Sequence, residues 1–184
     1  MKYPENLEPV TQERLLLPNG EWAVVPKAKP EFLVWTGAPV EDNYNKTVLE
    51  YKGAPTFAEL VILRAFWNSG WDGFWIDRFG HGFRRSFQTQ SDNPPLKFRA
   101  ADLPPKPDSV TNEVWDLVKS GHGAWDVFCW NNVSCVFAEA KHASEDELKP
   151  NQVSFLQDAL QTGLREHSFL LVEWTLANPR TPAR

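Results

Sequence analysis

The sequence contains few sulfur-bearing residues and no long apolar run. Two cysteines and one methionine occur in 184 residues, and two cysteines are too few for the disulfide framework of a small secreted scaffold. The start of the chain is polar and contains proline, so it predicts no secretory signal. The longest apolar stretch, at 60–67, is interrupted by Arg64 and falls far short of the roughly 20 residues that a membrane helix needs. We therefore expect a cytoplasmic protein that does not interact with membranes.

Positive charge is also scarce, because 19 Lys and Arg residues face 24 Asp and Glu residues, for a net charge of −5. This balance argues against a protein that coats nucleic acid by bulk electrostatics, so a contact with DNA would need locally concentrated charge. The segment 78–106 has six basic and two acidic residues, interleaved with phenylalanines, a mixture that suits phosphate contacts and base stacking. The alternative is a hairpin with buried phenylalanines and solvated arginines. The candidate phosphate contacts are Arg84, Arg85, Lys97 and Arg99.

Aromatic residues are abundant, with nine tryptophans and twelve phenylalanines. The aromatic surface of these residues is too large to leave in water, which excludes disorder as the main state. The length of the chain suits one domain with appendages. We predict a β-rich extension at 1–50, a core at 51–176 with an aromatic and basic insertion at 71–120, and a flexible tail at 177–184. The extension is either a small arm or a set of edge strands added to the core.

Hydrophobic periodicity, caps and turn residues predict the order of elements in the core. From residue 55 the order is helix, hairpin, strand, strand, helix and strand, with a short helix before the second pair of strands. This order is typical of a mixed α/β layer architecture. The predicted ranges are 55–68 for the first helix, 71–87 for the hairpin, 112–119 for the short helix, 125–130 and 134–140 for two strands, 150–160 for a helix and 168–175 for the last strand.

Three charged residues on the central strands form the most informative pattern, which we call the acid–lysine cluster: Asp126, Glu139 and Lys141. Glu139 and Lys141 are two residues apart, so they share one face of the sheet. Two carboxylates beside a lysine suit metal-assisted phosphodiester hydrolysis, in which the acids hold Mg²⁺ and the lysine orients water or stabilises developing charge. The alternative is a cross-strand ion pair on a solvated face.

The turn between these strands sets the register that brings the cluster together. Asparagine tolerates positive φ, so the pair at 131–132 predicts a two-residue loop with Trp130 opposite Val133. Asp126 then faces Phe137, on the side of the sheet that carries the rest of the acid–lysine cluster. A three-residue loop would move Asp126 to the other face.

Two further polar residues are candidates for the same site. Glu59 falls on one helical stripe with Ile62 and Phe66, so we expect it to face inward and to serve as an additional metal ligand. It also lies three residues after Thr56, so the alternative is a capping-box glutamate. Gln152, in the first turn of the later helix, is a candidate for holding the lysine or a metal-bound water.

The motifs Gly123-Ala-Trp-Asp126-Val-Phe and Val136-Phe-Ala-Glu139-Ala-Lys141, followed by a helix that contains Gln152, resemble the PD-(D/E)xK nuclease superfamily. Within it, residues 121–175 are most similar to the VRR-NUC (virus-type replication-repair nuclease) family. The resemblance implies a restriction-endonuclease-like core of order α-β-β-β-α-β, with Mg²⁺ or Mn²⁺ as cofactor and DNA as substrate.

The resemblance also implies roles for individual residues. Asp126 and Glu139 would bind the metal, Lys141 would be the catalytic lysine, Gln152 the helix glutamine and Glu59 the acid of the first helix. One departure from the family pattern stands out, because tryptophan occupies position 125, where the family has proline.

The sequence therefore predicts a metal-dependent nuclease that hydrolyses phosphodiester bonds in DNA. Two alternatives remain: a nuclease-fold nucleic-acid-binding or structural subunit that does not cut, and a tryptophan-rich module that binds a protein or a sugar. The sequence leaves the oligomeric state open, with a homodimer among the options, and it does not specify the DNA structure that is preferred.

Overall fold

The computed structural model describes residues 1–40, 46–77, 82–84, 103–143 and 145–177. The fold is mixed α/β, as the sequence predicts. In the described residues the α-helices are α1 (Ala58–Asn68), α2 (Asn112–Ser120) and α3 (Pro150–Gln161). The strands are β1 (Thr11–Leu16), β2 (Trp22–Ala28), β3 (Glu31–Val34), β4 (Leu49–Tyr51), β5 (Ala54–Thr56), β6 (Asp72–Asp77), β7 (Gly82–Arg84), β8 (Val127–Trp130), β9 (Cys135–His142) and β10 (Phe169–Leu176).

The strands form one mixed sheet in the order β5-β4-β3-β10-β9-β8-β6-β7, with the β1–β2 hairpin also attached to β10. In its centre β6 pairs antiparallel with β8, β8 antiparallel with β9, and β9 parallel with β10. The N-terminal strands β2 and β3 pair in parallel with successive parts of β10. Residues from the N-terminal segment therefore extend the sheet beyond β10.

The two faces of the sheet carry separate apolar clusters because alternate residues of each strand point in opposite directions. Val136 and Ala138 pack in the cluster that contains the buried residues of α1. Phe137, between them, packs in the other cluster with Phe155 of α3 and Trp115 of α2. Helix α1 therefore covers one face, and α2 and α3 cover the other.

The β8–β9 register differs by two residues from the predicted one. Trp130 pairs with Cys135 rather than with Val133. The loop is longer because the Asn131 side chain makes its own turn, with Oδ1 accepting hydrogen bonds from the backbone N–H groups of Val133 and Ser134 at 3.0 and 2.9 Å. A shift of two residues keeps every side chain on its predicted face, so the prediction of the face was right and that of the loop length was wrong.

Helix α1 begins without the predicted capping box. Its N-cap residue is Phe57, which makes no side-chain cap hydrogen bond. Thr56 is the last residue of β5, where it pairs with Leu49, so it is committed to the sheet before the helix starts. Glu59 is therefore available for another role.

None of the helices in the described ranges is both long and apolar enough to cross a membrane.

Candidate active site

The acid–lysine cluster lies where β8 begins and β9 ends. The ammonium Nζ of Lys141 is 3.0 Å from Oε1 of Glu139. The backbone N–H of Asp126 donates to Oε2 of Glu139 at 3.0 Å, and the backbone N–H of Ala140 donates to Oδ2 of Asp126 at 3.1 Å. Each acid thus accepts a hydrogen bond from the backbone of the strand opposite, which fixes both carboxylates in place.

Gln152 joins this cluster from the first turn of α3. Its Nε2 donates to Oε1 of Glu139, and its Oε1 accepts from Nζ of Lys141 at 3.3 Å and from the backbone N–H of Lys149 at 2.9 Å. The side chain is almost fully buried, at 2% exposure. One amide group therefore holds the lysine, one acid and the start of the helix together.

The segment before Asp126 contacts the first turn of α3. Gly123 has φ +71°, and a Cβ there would lie 2.3 Å from the carbonyl oxygen of Asn151, so only glycine allows this approach. Trp125 is fully buried, and its Nε1 donates to the carbonyl oxygen of Gln152 at 3.2 Å. Trp125 thus anchors the helix that presents Gln152.

Glu59 reaches the same cleft from α1, on the opposite face of the sheet. It is 6% exposed, and its Oε1 contacts the ammonium of Lys46. The Lys46 Nζ also lies over aromatic rings, 5.1 Å from the ring centroid of Trp75 and 5.9 Å from that of Phe57. The residues that surround Glu59 therefore make it an inward-facing acid with a lysine counter-ion.

A cleft of about 400 Å³ unites these residues, with Lys46, Glu59, Asp126, Glu139 and Gln152 in its wall. The structure thus brings Glu59 to the same cleft as Asp126, Glu139 and Gln152. Lys141 contacts Glu139 and Gln152.

Asp77 and Lys46 also line the cleft, and sequence reasoning missed both. Asp77 is fully buried at the end of β6, after the buried residues Trp75 and Ile76. A charged residue that ends a buried strand was the signal that could have identified it. Lys46 lies just before β4 and has no periodic pattern around it, so no such signal exists.

The burial of several charges in one cleft shifts their proton affinities. Burial, followed by repulsion from Glu139, raises the pKa of Asp126 to about 7, against the attraction of Lys46 and Lys141. Burial also raises the pKa of Glu59 despite the nearby Lys46. For Lys46 burial alone would lower the pKa, but the attraction of Glu59 and Asp126 outweighs it, and the pKa is raised. The cleft thus favours additional positive charge.

The donor set of the cleft suits a hard divalent cation. Within the described ranges no group of three or more His, Cys, Asp or Glu side chains is arranged to hold a metal ion. However, Oε2 of Glu59 is buried and has no hydrogen-bond partner. Mg²⁺ is commonly bound by one or two carboxylates that are completed by waters and substrate phosphates. Asp126 and Glu59, with Glu139 behind them, therefore fit such an ion chemically.

The candidate DNA contacts are only partly described. Arg84 lies in β7, where its backbone pairs with that of Trp75. The other three candidates, Arg85, Lys97 and Arg99, lie outside the described residues.

Comparison with known proteins finds no protein-family model, no curated protein and no solved structure that matches this chain. The case for a function therefore depends on the chemistry of the cleft.

Proposed function

We propose that the protein is a divalent-metal-dependent nuclease that hydrolyses phosphodiester bonds in DNA, with a restriction-endonuclease-like core. The observation that carries this proposal is a hydrogen-bonded group in which Asp126, Glu139 and Gln152 line one cleft and Lys141 contacts the last two of them. Ion pairs on a solvated sheet face are exposed, whereas Glu139 is 1% exposed and Lys141 8% exposed. Burying such charges is costly, which favours a functional reason for retaining them.

The order of elements is a second argument for the nuclease core. Apart from β7 and α2, which lie between β6 and β8, helix α1 is followed by β6, β8, β9, α3 and β10, and this series has the α-β-β-β-α-β order that the family resemblance implies. The parallel pairing of β9 with β10 requires a crossover between them, and α3 is that crossover. Helix α3 thereby carries Gln152 to the end of β9, where the acids and the lysine lie.

In this proposal Asp126, Glu139 and Glu59 would hold Mg²⁺ or Mn²⁺. When bound, the metal supplies polarisation of the phosphate and a lowered pKa of a water nucleophile. Lys141 orients that water or stabilises negative charge that develops on the phosphate, since its ammonium is already held in place by Glu139. Gln152 positions Lys141 and does not itself react.

The substrate would approach a cleft whose own residues are largely acidic. The basic residues that offset this charge in the proposal are Arg84, Arg85, Lys97 and Arg99. Such local contacts make DNA affinity depend strongly on salt. The bound metal would also neutralise part of the acidic charge before phosphate arrives.

A second candidate is a nuclease-fold protein that binds nucleic acid without cutting it. The absence of a three-residue metal group in the described part of the chain favours it. The retained acids and lysine favour cleavage, because a protein that only binds DNA has no need to bury them.

The tryptophan-rich interaction module lacks comparable support. Six of the nine tryptophans are buried, at positions 71, 75, 115, 125, 130 and 174. Only Trp22 is more than half exposed, at 52%. The tryptophans therefore do not form one exposed patch.

The proposal is tested by incubating the full chain with single-stranded, duplex and junction DNA in Mg²⁺, Mn²⁺ or EDTA. We expect cleavage of at least one substrate with a divalent metal and none in EDTA. Binding of DNA without cleavage under every condition would favour the second candidate instead. Cleavage that persists in EDTA would rule out the role of the metal.

A further inference from the structure

Three aromatic rings on neighbouring strands form a row that leads from the core to the cleft. This ring row consists of Phe32 of β3, Trp174 of β10 and His142 of β9. The rings of Phe32 and Trp174 are stacked, with centroids 5.7 Å apart, and the rings of Trp174 and His142 have centroids 4.3 Å apart. Phe32 and Trp174 are buried, whereas the side chain of His142 is 20% exposed and lines the cleft. The row thus presents its last ring to the cleft.

The ring row ends at His142 because the next strand begins too late to continue it. Trp174 pairs with His142 in the β9–β10 ladder. On the other side of β9, strand β8 begins at Val127, which pairs with Ala138, four residues before His142. Within the described ranges, no strand therefore pairs with His142 on the side away from Trp174. A further flat ring at this position would continue the row.

The turn after β9 fixes the position of the imidazole. Nδ1 of His142 lies 2.6 Å from Oε2 of Glu145, and the backbone N–H of His142 donates to Oδ2 of Asp146 at 3.2 Å. The carbonyl oxygen of His142 accepts hydrogen bonds from the backbone N–H groups of the same two acids at 3.2 and 3.1 Å. Two acidic side chains would repel a phosphate group here. The imidazole therefore suits the uncharged face of a base better than a phosphate.

The cleft has room for one nucleotide and not for a duplex. Its volume of about 400 Å³ lies in the range of pockets that enclose one small organic molecule, whereas the major groove of B-DNA alone is about 12 Å wide. A base inside a duplex would have to leave its stack before it could contact His142, which costs energy. The bases of a single strand can stack on aromatic side chains without this cost.

We propose that His142 is a base-stacking residue that makes single-stranded DNA the preferred substrate of the cleft. One unpaired base continues the ring row, and its phosphate lies in the part of the cleft that is lined by Asp126 and Glu139. Histidine is among the side chains on which unpaired bases stack. The inference depends on the proposed function, because it assigns the substrate class of the same cleft.

The first test measures the affinity for a short labelled single strand of DNA, as Kd by fluorescence anisotropy in EDTA at low salt and as KM in Mg²⁺. His142→Ala should raise both constants by about fivefold or more, because it removes the stacking of one base. His142→Phe should restore them, since phenylalanine keeps a ring. The matched control is His122→Ala, which removes an exposed histidine that does not line the cleft and should change neither constant.

The second test changes the DNA, so it stands even if His142→Ala folds poorly. A strand whose nucleotides are all abasic keeps the phosphates and lacks the bases. It should bind the unmodified protein about fivefold or more weakly than the intact strand does. The loss should be smaller for His142→Ala, because the stacking partner of the base is already absent. A duplex of the same sequence should bind the unmodified protein several-fold more weakly than the single strand.

The outcomes separate this inference from the proposed function. Unchanged affinity in His142→Ala, no loss with the abasic strand, or a duplex that binds as tightly as the single strand would overturn the stacking role. The nuclease proposal would still stand if DNA is cleaved in Mg²⁺. If the unmodified protein neither binds nor cleaves any of these DNAs, both proposals fail.

Discussion

Two buried lysine–glutamate pairs lie in one cleft, and they are held very differently. Glu139 is held at both oxygens, by Lys141, by the Gln152 amide and by the backbone of Asp126. Glu59 has Lys46 at one oxygen and no partner at the other. The first pair joins β9 to the first turn of α3, whereas the second joins α1 to the segment before β4. Of the two lysines, Lys141 is the more buried, with a side chain that is 10% exposed against 28% for that of Lys46.

The largest contrast is expected in cleavage rate when each lysine is removed. Lys141→Met should lower the rate by about 10²–10³-fold, the usual contribution of a preorganised group that stabilises charge developing in the transition state. Lys46→Met should instead lower the Mg²⁺ concentration needed for half-maximal cleavage, because it removes a positive charge beside Glu59 and Asp126. Both effects are measured from initial rates over a Mg²⁺ series. A Lys46→Met protein that loses cleavage as completely as Lys141→Met would show that the two lysines share one role.

A smaller contrast is expected in stability when each acid is made neutral. Glu139→Gln leaves the buried Lys141 without its counter-charge and should cost about 3–5 kcal/mol of unfolding free energy. Glu59→Gln leaves Lys46, whose side chain is 28% exposed, and should cost less, because water can partly solvate the remaining charge. Urea denaturation in EDTA measures both values. Equal costs would contradict the expectation that the more exposed lysine better tolerates the loss of its counter-charge.

A further contrast is expected in the pH dependence of the metal-free protein. Burial raises the pKa of Asp126 from 3.8 to about 7, so the folded state binds its proton more tightly than the unfolded state does. Its contribution to stability is therefore fully present below about pH 3.8 and is lost as pH rises through about 7. Glu59, whose pKa is also raised by burial, acts in the same direction.

Asp126→Asn is the matched control for this pH effect. Its amide oxygen can still accept the hydrogen bond from Ala140, but it does not titrate. The stability of the unmodified protein in EDTA should fall relative to that of Asp126→Asn between about pH 4 and pH 7. Parallel pH profiles for the two proteins would contradict the raised pKa.

Much of the central sheet was predictable because successive residues of its strands alternate regularly between the two faces. Val136, Phe137 and Ala138 alternate between the two apolar clusters, and this parity fixed the face of the acid–lysine cluster. The loop length was not predictable, because the Asn131 side chain makes a turn of its own. Helix α3 could be predicted from Pro150 at its first position.

The second pair was not predictable, for a different physical reason. Glu59 was identified by its helical stripe, but its partner comes from a segment without periodicity, 13 residues earlier. The capping-box interpretation of Glu59 was wrong because Thr56 is held by β5. Local patterns predict which side of an element faces inward, whereas long-range contacts between loops and helices depend on the complete fold.

The most direct test of the proposed activity is one cleavage time course, run side by side with the unmodified protein and Asp126→Asn. Labelled DNA is incubated with each protein in Mg²⁺, with EDTA as the blank. We expect products that accumulate with the unmodified protein in Mg²⁺, and none with Asp126→Asn or in EDTA. Equal cleavage by the two proteins in Mg²⁺, or no cleavage by either, would contradict a metal-dependent nuclease site at this cleft.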